Sequence, residues 1–256
     1  MAKEMSNRRG QVAVFVIIAL VVVGSIVIFF LIRRNIVGFG GEVSDPEQYF
    51  RQCIEPSTNE AVDKILPQGG FLDPGSFKMY NDAKITYLCK TDGFYVPCIN
   101  IHPMLISEIS QEIKSYISPS IEGCFESLKK EFEKKQMGVE VGETNNFSVF
   151  LAPGKVIVEV AKDMKVTEKG TIRTFEKFNS EIRSPIYNLA SVAINIADNE
   201  RKYCNFEYVG YMGIDRSVDI KKFTMSDSTK IYTIKDIDSG KIMNIAIRGC
   251  ALPAGI

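Results

Sequence analysis

The chain has 256 residues, 45% hydrophobic and 24% charged, with 31 Lys+Arg against 31 Asp+Glu. A balance this close sets up no long-range field that would gather nucleic acid or steer an anionic substrate. The composition is that of a folded protein with one anchor, and residues 42–256 suffice to bury a core as one large or two small domains.

Residues 1–10 are a short leader with basic Lys3, Arg8 and Arg9. Residues 12–32 then run for 21 positions without a charge, VAVFVIIALVVVGSIVIFFLI. At about 1.5 Å rise per residue a helix of that length spans roughly 31 Å, the thickness of a bilayer's hydrocarbon core. Residues 11–34 are therefore expected to form a transmembrane helix, with the lipid bilayer as a partner. A cleaved secretory signal has a shorter apolar stretch and ends at small residues. This run ends in Phe29-Phe30-Leu31-Ile32-Arg33-Arg34, so the helix is expected to be retained. Positive charge is nearly matched on its two sides and does not fix orientation. The cysteines do: Cys53, Cys89, Cys98, Cys124, Cys204 and Cys250 all follow the helix. An even set confined to one side fits disulfides in an oxidising space, which carries the carboxyl-terminal part outside the cell membrane.

The residues ahead of the run, Ser6-Asn7-Arg8-Arg9-Gly10-Gln11-Val12, resemble the class III signal peptide of archaeal type IV pilin-like proteins. In that family a basic leader ends in Gly, and a prepilin peptidase cuts after it on the cytoplasmic face. The resemblance implies Gly10 before the cut, Gln11 as first mature residue, prepilin peptidase as a partner, and like subunits meeting through the membrane helix. Many pilins carry Glu five residues into the mature chain, where this sequence has Phe15, a departure that bears on polymerisation more than on cleavage. Further on, the Gln68-Gly69-Gly70 turn, the segment YLCKTDGFYVPC at 87–98, a Cys-bearing helix and a β-rich run are similar to uncharacterised single-pass proteins of small-genome archaea. That resemblance implies no activity.

Residues 35–44 read as a linker, with Gly38, Gly40 and Gly41 giving it flexibility. Pro46 after Asp45 suits a helix start. Phe50, Cys53 and Ile54 share a face, Pro56 interrupts, and Ser57 with Glu60 gives a capping-box spacing for a restart. Residues 84–89 and 94–101 read as strands around Asp92-Gly93, a hairpin signal that brings Cys89 near Cys98. A two-residue turn there sets Cys89 opposite Val96, and a longer loop brings the cysteines face to face. From Pro103 to about Gln136 the pattern is helical in two pieces, broken at Ser118-Pro119. Ile121, Phe125, Leu128 and Phe132 repeat at helical spacing, and Cys124 lies on or beside that stripe. Its natural partner is Cys53, on the stripe of the first helix.

From Val139 the period becomes two. Runs 148–151, 155–160, 164–167 and 171–178 read as strands, with turns at Pro153-Gly154 and Lys169-Gly170. Ser184-Pro185 opens a helix that ends near Cys204. Residues 218–223, 230–235 and 241–248 are again strand-like, with a turn at Asp238-Ser239-Gly240, and Cys250 closes the last. Pairing Cys204 with Cys250 ties this helix to that strand. Six cysteines allow 15 pairings, so Cys53–Cys124, Cys89–Cys98 and Cys204–Cys250 are hypotheses from faces and spacing.

Recognisable catalytic patterns are missing. His102 is the one histidine in the sequence, and its place before Pro103 suits capping or packing better than a Ser-His-Asp or Cys-His arrangement. The cysteine spacings contain no zinc knuckle, and there is no phosphate-binding glycine loop. Glu108 and Glu112 fall on the polar side of a helix, where a pair of acids is expected by chance. The expectation is thus no catalytic residue, no metal and no cofactor. Asn146-Phe147-Ser148 is an N-glycosylation sequon, expected in the turn before a strand.

The expected fold class is α+β. One amino-terminal transmembrane helix precedes an extracytoplasmic domain of helices and small antiparallel sheets, stapled by three disulfides. Its parts are a leader (1–10), the span (11–34), a linker (35–44), a helical subdomain with a β-hairpin (45–137) and a β-rich subdomain (138–256). The expected function is non-enzymatic: a pilin-like surface protein in cell-envelope structure, attachment or assembly, without nucleic acid. The alternative is a stand-alone extracytoplasmic module that binds a ligand or partner and forms no filament. A third class, a secreted-side enzyme, requires a pocket holding a perturbed acid or a free thiol.

Overall fold

The structure, a computed structural model, describes residue 18, residues 20–23 and residues 45–253, the side chain of Asn145 excepted. Residues 18 and 20–23 are helical and exposed. The rest of the expected leader, span and linker, including Gly10, Gln11 and Phe15, lies outside the described residues. Among the described residues no helix is long and apolar enough to cross a membrane.

Helix α1 (Pro46–Ile65) starts where the Asp45 carboxylate caps the amide of Glu47 at 3.2 Å and Pro46 takes the first turn. It buries Phe50, Ile54, Thr58, Ala61, Val62 and Ile65 along one stripe. A short 3-10 turn (Leu66–Gln68) follows. Strands β1 (Phe77–Tyr80), β2 (Ala83–Lys90) and β3 (Ile99–Asn100) lead into the long helix α2 (Leu105–Lys134). Helix α2 buries Leu105, Ile109, Ile113, Ile117, Ile121, Phe125, Leu128 and Phe132, a ridge at i, i+4 and i+3 spacing. At roughly 1.5–3 kcal/mol per fully buried aliphatic or aromatic side chain, this ridge is a main source of stability.

The two-piece expectation fails for both helices. Helix α1 runs through Pro56 and α2 through Pro119. Each proline removes a backbone donor, but both lie on the exposed side. There a helix bends convex toward solvent and keeps its buried stripe in place.

Strands β4 (Gly138–Ala152), β5 (Lys155–Glu168) and β6 (Thr171–Arg183) form an antiparallel meander. The shorter runs expected on β5 are fused through a bulge between Ala161 and Met164. Its inner face, with Val156, Val158, Val160, Met164, Val166 and Phe178, is buried. Phe50 of α1, Phe125 of α2 and Phe178 of β6 form one aromatic knot, with centroids 5.2, 5.7 and 4.8 Å apart. That knot joins residues on both sides of position 137/138. Both halves share one core, and Asp45–Ile256 is a single compact unit.

Helix α3 (Ile186–Tyr203), the short α4 (Tyr208–Ile214), and strands β7 (Val218–Thr224), β8 (Lys230–Asp236) and β9 (Ile242–Arg248) complete the chain. The second sheet runs β1-β2-β9-β8-β7, with β3 on β2. It is mixed, not small and antiparallel as expected, because β2 and β9 pair in parallel, Tyr87 opposite Ala246. Helix α3 packs on the face carrying Tyr232, Ile234, Met243 and Ile245. On the other face Ile85, Tyr87, Ile231 and Ala246 form a smaller core. The two edges curl toward each other over it: Lys78 of β1 reaches Asp227, and the rings of Tyr80 and Phe223 lie 5.6 Å apart.

Candidate interaction surface

The structure joins Cys53 to Cys124, Cys89 to Cys98 and Cys204 to Cys250, the pairs that faces and spacing suggested, and leaves no cysteine free. The last two bonds converge on one end of the domain. A Cβ on Gly249 would lie 3.0 Å from the Cys98 sulfur, so the chain beside Cys250 touches the other bridge directly.

The segment between Cys89 and Cys98 is not the tight hairpin that Asp92-Gly93 signals. Cys89 lies opposite Asn100, β3 has two residues, and the chain between β2 and β3 follows a different path. Tyr95 takes a left-handed conformation, φ 58°. The backbone partners of this segment come from the chain end: Thr91 donates to Arg248 at 2.8 Å, Tyr95 to Ala251 at 2.9 Å, and Cys250 to Val96 at 2.7 Å. Long-range pairing to residues 248–251 thus replaces the ladder of a two-residue turn.

Pinned in this way, the segment turns its side chains outward. Phe94, Tyr95, Val96, Ile99, Ile101 and Met104 are exposed, Ile99 by 72% and Met104 by 65%. Single exposed apolar residues are ordinary, but a contiguous run of them makes this surface a candidate interaction site. Two hollows flank it. One, of about 620 Å³, lies between Ile99, Pro103 and the α3 residues Ile194, Asp198 and Arg201. The other, of about 320 Å³, is bounded by Met104, Ile106 and Ile194. The Arg248 guanidinium faces the Phe94 ring at 5.8 Å and donates to the Thr91 carbonyl.

His102 stands at the root of this surface. Its amide donates to the Asn100 side chain at 2.9 Å, Nδ1 faces Glu108 at 2.5 Å, and the ring lies 4.5 Å from that of Phe71. Glu112 accepts from the Leu72 amide at 3.0 Å. The histidine and both acids therefore tie the start of α2 to the preceding loops. The arrangement offers apolar contact and shape.

A second polar cluster goes beyond the sequence expectations. Glu200 of α3 is wholly buried, accepts from Lys230 at 2.6 Å, and accepts from the Tyr232 hydroxyl. Lys230 also donates to the Cys204 carbonyl at 2.7 Å. Burial first, then the bond to Glu200 and its charge, push the Tyr232 phenol far above its ordinary range, so it stays a donor. The sequence does carry a signal, since Glu200 continues the apolar stripe Leu189, Ala193, Ile196 as its one acidic member. The sequon is also not where it was expected. Asn146 is exposed within β4, paired with Ala161 of β5, and not in a turn. Among the described residues no cluster of His, Cys, Asp or Glu has the makings of a metal site.

No protein-family model, curated protein or solved structure matches the chain.

Proposed function

We propose that the chain is a membrane-anchored extracytoplasmic protein with a non-catalytic, pilin-like role in cell-surface structure, attachment or assembly. The observation that carries this reading is an apolar run of 21 uncharged residues that precedes, across a short linker, a domain whose six cysteines are all paired. Such a run is long enough for a bilayer. Three bridges persist where the environment is oxidising, which is the outer side of a membrane. The leader ending Arg8-Arg9-Gly10 supports removal of residues 1–10 by a prepilin peptidase, with Gln11 as the new first residue.

A second reading, a stand-alone module that binds a ligand or partner and forms no filament, is favoured by the exposed apolar surface at residues 94–104 and by Phe15 in place of a pilin glutamate. The intact mass of the protein extracted from its own membranes tests the first. The expected mass lacks residues 1–10, and reduction adds six hydrogens. Protease added to intact cells is expected to digest residues 45–253. A full-length chain with six free thiols, sheltered from that protease, would overturn the proposal. Substituting Ile99→Asp together with Met104→Asp separates the two readings. Loss of partner capture with the anchor intact supports the module.

A further inference from the structure

We propose that Asn146 carries an N-linked glycan on the outer face of the meander beside Ala161 and Lys177, with a bulk that hinders pairing along the free edge of β4. The proposal rests on the exported topology above. Asn146-Phe147-Ser148 is the one sequon of this chain. In a strand, alternate side chains share a face. Asn146 and Ser148 accordingly share the outer face, while Phe147 turns inward to meet Lys114 of α2, 5.0 Å from its ring. Both reactive residues of the motif are therefore on the side that solvent and a modifying enzyme reach.

The outer face is hollowed at this spot. Across the meander Asn146 pairs with Ala161 and Ala161 with Lys177, while Ser148 pairs with Glu159 and Glu159 with Asn179. The small Ala161 between two longer side chains leaves a hollow of about 350 Å³ with Asn146 on its rim. Lys177, Asn179 and Glu159 around it offer cationic, amide and carboxylate groups, a set that hydrogen-bonds well to sugar hydroxyls. Strand β4 also has a strand partner on one side only. A 15-residue edge strand is a template for pairing with another copy. A bulky hydrophilic group on that strand blocks such pairing.

The chemistry is a group transfer. The Asn146 side-chain nitrogen attacks the anomeric carbon of an oligosaccharide carried on a lipid diphosphate. The nitrogen–carbon bond forms, the carbon–oxygen bond to the diphosphate breaks, and the lipid diphosphate leaves. The amide proton passes to a base of the transferase. No electrons are exchanged.

The test is intact mass of the full chain from its native membranes, compared with N146Q and S148A made in the same cells. The expected result is a set of heavier forms in the wild type that collapses to the polypeptide mass in both variants, with N179Q still modified. N146Q is then expected to self-associate at lower concentration in sedimentation. A wild-type mass equal to the polypeptide, with three bridges closed, overturns the glycan and leaves export standing. The same mass with free thiols overturns both. Extra mass that survives S148A also overturns the assignment.

Discussion

Glu200 is the side chain whose burial most needs explanation. A carboxylate without water is tolerated only because Lys230 and Tyr232 both donate to it. Lys230→Met is expected to destabilise the domain by about 3–5 kcal/mol, since it strands a buried charge. Adding Glu200→Leu to that variant is expected to restore much of the loss, because the cost is desolvation and not the loss of the pair. Urea unfolding midpoints of the single and double variants check this, and a double variant as unstable as the sum of the singles would refute it.

Two other carboxylates set the acid limb of stability. Hydrogen bonds from Lys162 and Thr144 hold Glu122 below its ordinary value of 4.5. Burial works against Asp227, but hydrogen bonds from Lys78 and Thr229 outweigh it and hold it below 3.8. A carboxyl lowered by folding adds stability that is present above its unfolded value and is lost as the pH falls through its folded value. Melting temperature is therefore expected to drop on acidification below those ordinary values. E122Q and D227N are each expected to flatten that drop, and an unaltered profile in both would contradict the assignment.

At the scale of elements, α2 is continuous through a proline that has no intrahelical donor to offer. Pro119→Ala supplies an amide that can bond to the Ser115 carbonyl one turn earlier, and position 119 lies on the exposed side of the helix. The substitution is expected to stabilise by up to about 3 kcal/mol, read from denaturant midpoints. The turn after α1 is the opposite case. Gly70 has φ +102°, and a Cβ there would lie 2.6 Å from Ile109 of α2. Gly70→Ala is expected to cost roughly 2 kcal/mol or more, from strain and overpacking together. The Gln68-Gly69-Gly70 turn was legible, because glycine pairs mark such turns. Its role as the seat of Ile109 was not, since that depends on where α2 passes. The segment at 94–101 misled for a related reason. Its apolar residues read as a strand, and only the chain end running beside it turns them outward.

For the whole molecule, the bridges close loops of different length. In the chain-entropy account a separation of 71 residues for Cys53–Cys124 corresponds to about 4 kcal/mol, and 9 residues for Cys89–Cys98 to under about 3 kcal/mol. C53S/C124S is expected to lower unfolding free energy more than C89S/C98S, and the reverse order in guanidinium titrations would show that strain or residual structure dominates.

The apolar stripes of α1, α2 and α3, the turns of the carboxyl-terminal strands and the cysteine faces are written in the sequence. Each is a local period or a short turn motif, carried by neighbours along the chain. The tertiary structure alone decided that β2 lies parallel to β9, that Phe50, Phe125 and Phe178 unite the two halves, that Glu200 finds Lys230 and Tyr232, and that residues 94–104 face solvent. These depend on which surfaces meet after the chain has folded back on itself. Burial and hydrogen bonding between residues far apart in sequence leave no periodic trace in either partner.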